Sequence, residues 1–492
     1  MSDKRLQRRK FIQSTGAAAG IAAIAGCTGD GGDGGSGDGG GGDGGDGGGS
    51  TSTPPGEDVE PADKIQFISE STPPSKALKS IISRFTDETG IEVEFTLTPL
   101  LNYTEKLAND LTSQAGNFDA VYVDPYNIGA PYYPDLEPLD AYIEDNNYDM
   151  DDHIQIHIDA CSVYEEDGTV RGLPYDCPTI TLAYRQDVFD EYGEQATSDL
   201  GFEAEPNPDM TWSQYMEVAR WINENVPDDM VEYGTGHMAK QHQSLANEFE
   251  MIQWAFGGTQ LTGFDGKDPI LPDDISAGFT DDASIEAAEF YTELVGEVAH
   301  PGSTTWNWTG VAQAFANGKI AMAPEWHEFN GLFADTESSV VADKVSWTLA
   351  PSGPAENRNV QAHYGGSSIG INAHTSDAKK KAAWKFIEWT TSPDIQFELL
   401  KAAGGTPTRQ SVYDRSEVKE ASQAQTAESK YPNVVPPVLE AWKQENIGQR
   451  PHHPDWLQLE QVIYTEGSKM VNGDQSPEAT MQACADGFSS IL

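Results

Sequence analysis

The chain has 492 residues, of which 79 are acidic and 30 are basic, so its formal net charge is −49. That charge argues against nucleic acid as a partner, because phosphates and carboxylates repel each other, and in dilute buffer it would loosen a compact fold by self-repulsion. At molar salt the Debye length falls to about 3 Å and the repulsion is screened. Because the acids are dispersed along the chain, the composition indicates adaptation to very high salt.

The N-terminal segment has the features of an export signal. Paired arginines, Arg8 and Arg9, precede a short apolar run that ends at Cys27, which is typical of a twin-arginine signal. The run is too short to form a stable membrane span, and residues 24–27 resemble the lipobox of exported lipoproteins, whose cysteine is lipidated. We therefore predict a signal at 1–27 and an anchor on the extracellular face of the cell membrane through Cys27. The alternative is a cleaved signal without an anchor.

A segment rich in glycine and aspartate follows at 28–61. Such a composition cannot bury enough apolar surface to fold, so we predict a disordered tether with a root-mean-square span of roughly 30 Å. The remaining chain, about 430 residues long, exceeds the size of a single-core domain and predicts two lobes.

The elements after the tether alternate between strand and helix. Residues 64–68, 91–97 and 118–124 have the pattern of short buried strands, and the segments between them carry apolar residues at helical spacing. This alternation predicts an α/β fold with a parallel sheet. Ligands bind at the carboxyl ends of the strands in such sheets, where we expect four polar side chains: Glu70, Asp124, Tyr126 and Asn127.

Two cysteines flank a predicted hairpin at 162–175. Outside the cell Cys161 and Cys177 would form a disulfide that closes a short loop, unless the hairpin register holds them apart, and both alternatives remain open. Cys484 is expected to be a buried apolar residue. The Cys and His spacing matches no zinc site, so we expect neither metal nor cofactor.

The second half of the chain continues the alternation of helices and strands. We expect a strong strand at 180–185, a helix opened by Thr211, strands at 320–323 and 365–372, and two closing helices on either side of Gly473.

Four stretches in this order resemble the family 1 extracellular solute-binding proteins, the sugar-binding components of ABC importers related to maltose-binding protein. The stretches lie at 172–185, 315–322, 366–372 and 404–409. The resemblance implies a monomeric, two-lobed periplasmic-binding-protein fold of type II, whose lobes are joined by crossing segments near 175–179 and 363–368. The implied first lobe comprises 62–176 and 368–430, and the second comprises 177–367 and 431–492.

The resemblance also implies a function. The protein would bind a sugar or polyol between its lobes and deliver it to an ABC permease in the membrane, without acting as an enzyme. A sugar site needs aromatic rings for apolar faces and carboxylates or amides for hydroxyls. Beside the four residues above, the candidate ligand contacts are Tyr175, Asp176, Trp308, Glu325, Trp326, Tyr364 and Arg409. The alternatives for these residues are hinge packing, core packing and ordinary surface solvation.

Two other functions remain in view. Residues 366–370 match the Gly-x-Ser-x-Gly pattern of serine hydrolases, but that motif needs a helix after the serine, and here a strand is expected. A secreted carbohydrate-active hydrolase is therefore the alternative function, because a sugar site supplies paired carboxylates in any case. A cationic solute is allowed by the charge of the chain, although the aromatic residues favour a sugar.

Overall fold

The computed structural model describes residues 55–492 except 57, 166, 273, 355–359, 404–405 and 424–433. The predicted signal, Cys27 and nearly all of the predicted tether lie outside the described residues. Within the described residues, every helix is too short or too polar to cross a membrane.

The described strands form two separate sheets. The first sheet has the order β2-β1-β3-β10-β4, and the second has the order β11-β9-β5-β7-β6 with β8 paired to β5. The strands are β1 (Lys64–Glu70), β2 (Glu92–Thr98), β3 (Ala120–Val123), β4 (Leu173–Asp176), β5 (Thr179–Arg185), β6 (Tyr233–Thr235), β7 (Ile320–Trp326), β8 (Val345–Thr348), β9 (Ala362–Tyr364), β10 (Ser367–Ile371) and β11 (Ile447–Gly448).

Strand direction in the first sheet places three strand ends at one edge. β1 is parallel to both β2 and β3, whereas β10 is antiparallel to both β3 and β4. β1, β3 and β4 therefore run the same way, and their carboxyl ends meet at one edge of the sheet. This is the edge at which open α/β sheets bind ligands.

Helices pack around both sheets, and their starts and ends follow local capping signals. The first begins at the cap Thr72, whose hydroxyl accepts a hydrogen bond from the Ser75 amide at 3.2 Å, and ends at Gly90 with φ 75°. The helices are α1 (Pro73–Thr89), α2 (Leu100–Thr112), α3 (Ala130–Tyr132), α4 (Asp140–Asp145), α5 (Gln155–Cys161), α6 (Gln186–Leu200), α7 (Trp212–Asn225), α8 (Gln243–Phe256), α9 (Asp282–Glu293), α10 (Trp308–Ala316), α11 (Asn330–Phe333), α12 (Asp377–Thr390), α13 (Pro393–Ala403), α14 (Gln410–Tyr413), α15 (Ser416–Gln423), α16 (Val435–Ala441), α17 (Trp456–Val471) and α18 (Pro477–Ile491).

Two short connections join the sheets. β4 of the first sheet passes to β5 of the second through Cys177 and Pro178, and β9 of the second passes to β10 of the first through Gly365 and Gly366. Each sheet has its own buried apolar core. The predicted two-lobed α/β fold is confirmed, whereas the residue boundaries of the lobes stay a prediction.

One local prediction needs correction, and a second is confirmed. The segment 162–175 forms only an isolated antiparallel pair, Val163 with Val170, because Leu173–Asp176 pairs with β10 in the first sheet. The segment with the Gly-x-Ser-x-Gly pattern lies in β10, Ser367–Ile371, and continues as a strand after its central serine. It therefore lacks the strand-to-helix turn of a nucleophile elbow.

Candidate functional site

Three carboxyl groups lie at the carboxyl edge of the first sheet. Glu70 is the last residue of β1, Asp124 follows β3 directly, and Asp176 is the last residue of β4. Burial raises the pKa of Glu70 to about 8, and repulsion from Asp124 and Asp176 adds to the effect. The edge therefore brings together carboxyls that cannot all hold their charge without a compensating group.

Asp176 is fully buried and only partly satisfied. Its Oδ1 accepts a hydrogen bond from the Thr406 hydroxyl, whereas its Oδ2 has no hydrogen-bond partner among the described residues. Burial raises the pKa of Asp176 to about 7, and hydrogen bonds from Thr406 oppose the rise. A fully buried carboxyl oxygen without a donor is costly, which marks Asp176 as a candidate ligand contact.

Asp124 positions the next two candidates. Its Oδ1 accepts hydrogen bonds from the amides of Tyr126 at 2.9 Å and Asn127 at 2.8 Å, which caps a short π-helical turn at Pro125–Gly129. The Tyr126 hydroxyl and the Asn127 Oδ1 are buried and have no hydrogen-bond partner among the described residues. The cap thus fixes two polar groups beside the sheet edge.

The second sheet contributes a fourth carboxyl, which sequence analysis missed. β7 ends beside the start of β5, with Trp326 opposite Ile180, so the residues after β7 face the connections between the sheets. Burial raises the pKa of Glu328 well above its usual value, with repulsion from Asp176 and Glu70 next in size and Lys76 opposing. We call Glu70, Asp124, Asp176 and Glu328 the carboxyl cluster, and the region where the two sheet edges face each other the cleft.

Glu325 and Trp326, the last two residues of β7, are more buried than Glu328. Glu325 is fully buried, and its Oε1 accepts from the Trp326 amide at 2.9 Å while its Oε2 has no partner among the described residues. The Trp326 ring packs beneath Gly365, where a Cβ would come within 2.3 Å of it, and it meets His363 edge to face at 5.8 Å. The structure therefore places Trp326, a predicted ligand contact, at a connection between the sheets, with 7% of its surface exposed.

Tyr175 and Tyr364 are buried at the two connections. The Tyr175 ring meets Tyr122 edge to face at 6.4 Å, and burial raises its pKa, with repulsion from Asp176 next in size. The Tyr364 hydroxyl contacts His157 Nδ1 at 2.8 Å. Tyr175 therefore borders the carboxyl cluster, whereas Tyr364 belongs to the hinge packing.

The structure carries Cys161 and Cys177 as free, buried thiols and not as the disulfide that the sequence allowed. Both sulfurs contact the Tyr364 hydroxyl, at 3.3 Å for Cys161 and 3.1 Å for Cys177. The two thiols thus meet at one tyrosine of the second connection. Cys484 is also buried and free, as expected for a small apolar residue.

The two remaining candidates lie outside the carboxyl cluster. Trp308 is partly exposed at the start of α10, where it meets His242 edge to face at 4.6 Å. Arg409 is buried, and it donates to the carbonyl of Asp149 at 3.0 Å and to the Asp152 carboxylate at 3.2 Å. These contacts within the chain engage Arg409, so its geometry favours a structural role over donation to a ligand hydroxyl.

Arg450 is a second residue that sequence analysis missed. Its guanidinium carbon lies 3.8 Å from the centre of the Tyr126 ring, and one of its nitrogens lies 3.2 Å from the Glu460 carboxylate. Arg450 follows β11 of the second sheet, and Tyr126 follows β3 of the first, so this contact crosses the cleft. The only sequence feature that could have pointed to Arg450 is its place among histidines and prolines, at 450–454, in a chain with few basic residues.

The comparisons with known proteins agree with this architecture. The profile of a family described as bacterial extracellular solute-binding protein matches residues 80–426, well over half of the chain. A probable amino-acid ABC transporter periplasmic-binding protein of Sinorhizobium fredii is 24% identical over 429 residues, which cover 86% of this chain and 87% of that protein. The chain belongs to the bacterial extracellular solute-binding protein family.

Solved structures show the same fold. The maltose-bound MalE3 of T. maritima has a TM-score of 0.72 and 22% identity, covering 87% of this chain and 100% of that one. A solute-binding protein of Agrobacterium radiobacter in complex with ribitol also has a TM-score of 0.72, with 20% identity and coverage of 88% and 100%. The family is one of extracellular solute-binding proteins, so the solute-binding prediction is confirmed and favoured over the hydrolase alternative.

Proposed function

We propose that this protein captures a sugar or polyol in the cleft and delivers it to an ABC permease. The observation that carries the proposal is a set of buried polar atoms without described partners beside the carboxyl edge of the first sheet: the Tyr126 hydroxyl, Asn127 Oδ1 and Asp176 Oδ2. A polyhydroxylated solute offers both donors and acceptors to such atoms. Related folds bind maltose and ribitol, which supports a solute of this class.

Capture requires the lobes to move about the two connections. Gly365 and Gly366 leave no room for a side chain, since a Cβ would come within 2.3 Å of the Trp326 ring and of the Tyr364 hydroxyl, respectively. The two glycines therefore allow the chain to pass from β9 to β10 in close contact with these side chains. Closure would bury the solute, exclude water and create the shape that the permease recognises; micromolar affinity needs about 8 kcal/mol of net binding free energy.

A thermal-shift screen of sugars and polyols at molar salt tests the proposal. A ligand present at 100 times its Kd adds about 2.7 kcal/mol to the free energy of unfolding, so a true solute should raise Tm by several degrees. Product analysis of the same mixtures should find the solute unchanged. A released product would favour the hydrolase alternative, and the absence of any shift across the panel would contradict the proposal.

We further propose that the protein works on the extracellular face of the membrane as a lipid-anchored monomer. Support comes from the signal predicted at 1–27, the tether predicted at 28–61 and the extracellular family. Cys27→Ser should move the protein from the membrane fraction to the medium, and mass spectrometry should find lipid on the N-terminal peptide of the parent only. Retention of the parent protein in the cytosol would contradict this assignment.

The acidic composition supports a high-salt habitat as part of the same proposal. Because salt screens the repulsion among 79 acids, Tm should rise steeply between 0.1 and 2 M KCl. A Tm that stays level over this range would remove the argument for halophilic adaptation.

A further inference from the structure

The carboxyl cluster contains more carboxyl groups than hydroxyl recognition needs. Glu70, Asp124 and Asp176 end or follow three parallel strands of the first sheet. Glu328 follows β7, whose end pairs with the start of β5, and its neighbour His327 contacts the Thr179 carbonyl at 3.2 Å, three residues beyond Asp176. One carboxylate accepts several hydroxyl hydrogen bonds without help. Four of them around one space repel each other unless protons or a cation compensate them.

Two of these carboxyls have oxygens available to a ligand. Asp176 Oδ2 and Glu328 Oε2 are enclosed and have no hydrogen-bond partner among the described residues. Asp176 is 0% exposed. Each oxygen is therefore an acceptor that the fold buries without providing a donor.

The described cations supply little compensation. Lys76, at the start of α1, is the cation that lowers the pKa of Glu328, but its side chain is exposed to solvent. Arg450 acts electrostatically on Asp124, yet its closest carboxylate is Glu460 at 3.2 Å, whose other oxygen accepts from Gln243. These two cations therefore do not compensate the carboxyl cluster, and bound protons take that role until a ligand cation replaces them.

The neighbouring groups favour an organic cation over a metal ion. Among the described residues, no group of three or more His, Cys, Asp or Glu is arranged to hold a metal. Aromatic rings lie near the carboxyls instead, because Tyr175 directly precedes Asp176 in β4 and packs against Tyr122 at 6.4 Å. Carboxylates together with aromatic faces form the environment that binds ammonium groups.

We propose that the solute carries an ammonium group, which binds between Asp176 and Glu328 while hydroxyls of the same molecule contact Tyr126 and Asn127. This inference rests on the proposed function and narrows its substrate class to amino sugars or amino polyols.

Matched pairs of probes test the inference on the purified, full-length protein at constant molar KCl. The pairs are D-glucosamine with D-glucose, and 1-amino-1-deoxysorbitol with sorbitol, and Kd is measured by titration calorimetry. We expect the amine of at least one pair to bind at least ten times more tightly than its neutral partner. At pH 7 its binding should also release protons, because Glu70 and Asp176, with pKa values of about 8 and 7, ionise beside the bound cation.

Variants locate the preference in the cleft. Glu328→Gln and Asp176→Asn should each reduce the amine-to-neutral affinity ratio by about tenfold or more, whereas Lys76→Gln should increase it by removing a competing cation. Glu224→Gln, an equal charge change at an exposed position on α7, is the matched control and should leave the ratio unchanged. Circular dichroism confirms that each variant is folded.

The outcomes separate the two proposals. The ammonium inference is overturned if the neutral probe of each pair binds as tightly as its amine and Glu328→Gln does not change the amine-to-neutral affinity ratio. That result leaves the sugar or polyol proposal intact. Binding of putrescine without binding of any hydroxylated probe overturns the polyhydroxylated solute and retains the cation. If none of these probes binds, both proposals are contradicted for the solutes that they name.

Discussion

Two fully buried carboxylates in this protein have opposite surroundings. Glu248, on α8, is satisfied on both oxygens, by His237 Nδ1 at 2.9 Å, the Met238 amide at 3.0 Å and the Tyr291 hydroxyl at 2.7 Å. Asp176 has Thr406 on one oxygen and no described partner on the other. Glu248 lies within the core of the second sheet, whereas Asp176 lies where the chain passes between the sheets.

The difference indicates which buried acids serve the fold and which serve a ligand. A buried carboxylate that accepts hydrogen bonds on both oxygens stabilises the folded state. Removing it leaves its donors buried without an acceptor. A buried carboxyl with a free oxygen costs free energy in the absence of a partner. Such a carboxyl is tolerated at a position where its free oxygen binds a ligand.

The largest expected effect is on the structural member of the pair. Glu248→Ala should lower the free energy of unfolding by about 3–5 kcal/mol, because it leaves His237, the Met238 amide and the Tyr291 hydroxyl buried without their acceptor. Urea denaturation at constant molar KCl measures the change. Glu224→Ala, at an exposed position on α7, should give no measurable change, and a similar loss in both variants would mean that the Glu248 network is not special.

The next effect concerns pH and the carboxyl cluster. The pKa of Glu70 is about 8 in the folded protein and 4.5 in the unfolded chain, so between these values the folded state binds more protons. Stability should therefore be highest below about pH 4.5 as far as Glu70 is concerned, and should fall as pH rises toward 8. Asp176, with a pKa of about 7, acts in the same direction.

Because a pKa difference of one unit is worth about 1.4 kcal/mol and Glu70 is not wholly buried, we expect Glu70 to contribute a fall of about 2–3 kcal/mol between pH 5 and 8.5. Lys76, Arg450 and the other three carboxyls face the same space and modulate this value. Glu70→Gln should flatten the slope of unfolding free energy against pH, and Glu224→Gln should not. A slope that is identical in the parent and in Glu70→Gln would contradict the assignment.

Substitution of Asp176, the member of the pair to which we assign a role in binding, should change the affinity for the solute. Asp176→Asn removes a charged acceptor, so Kd for the solute found by screening should rise by about 10- to 100-fold, equivalent to about 1.5–3 kcal/mol. Its free energy of unfolding should stay level or increase, since an amide is less costly to bury than a partly satisfied charge. Loss of stability without loss of affinity would reverse the roles that we assign to Asp176 and Glu248.

Sequence patterns predicted the elements of the fold more fully than the site. Periodicity, caps and glycine stops are local signals, so the helix before Gly90 and the strand-end groups Glu70 and Asp124 were within reach. Asp176 was reached only through the family resemblance. Glu328 and Arg450 were not, because they meet the first sheet across sequence separations that no local pattern records. Their partners depend on how the second sheet packs, and that is a property of the tertiary structure.

The smallest predicted effect concerns the contact that crosses the cleft. Arg450 lies 3.8 Å over the Tyr126 ring, and a cation–π contact of this kind is worth about 0.5–2 kcal/mol. Tyr126→Leu removes the ring face and should shift the solute-free protein toward open conformations, seen as a larger radius of gyration by small-angle X-ray scattering. Arg450 would keep Glu460 as its partner, so the fold itself should remain stable.

Tyr126→Phe provides the matched control, because it keeps the ring face for Arg450 and removes only a hydroxyl that has no described partner. Its solute-free radius of gyration should equal that of the parent, while its affinity for the solute should fall if that hydroxyl contacts the ligand. An open Tyr126→Phe variant would show that the hydroxyl, and not the ring, holds the lobes together. The pair thus separates closure from recognition at one residue, as Glu248 and Asp176 separate folding from recognition at two.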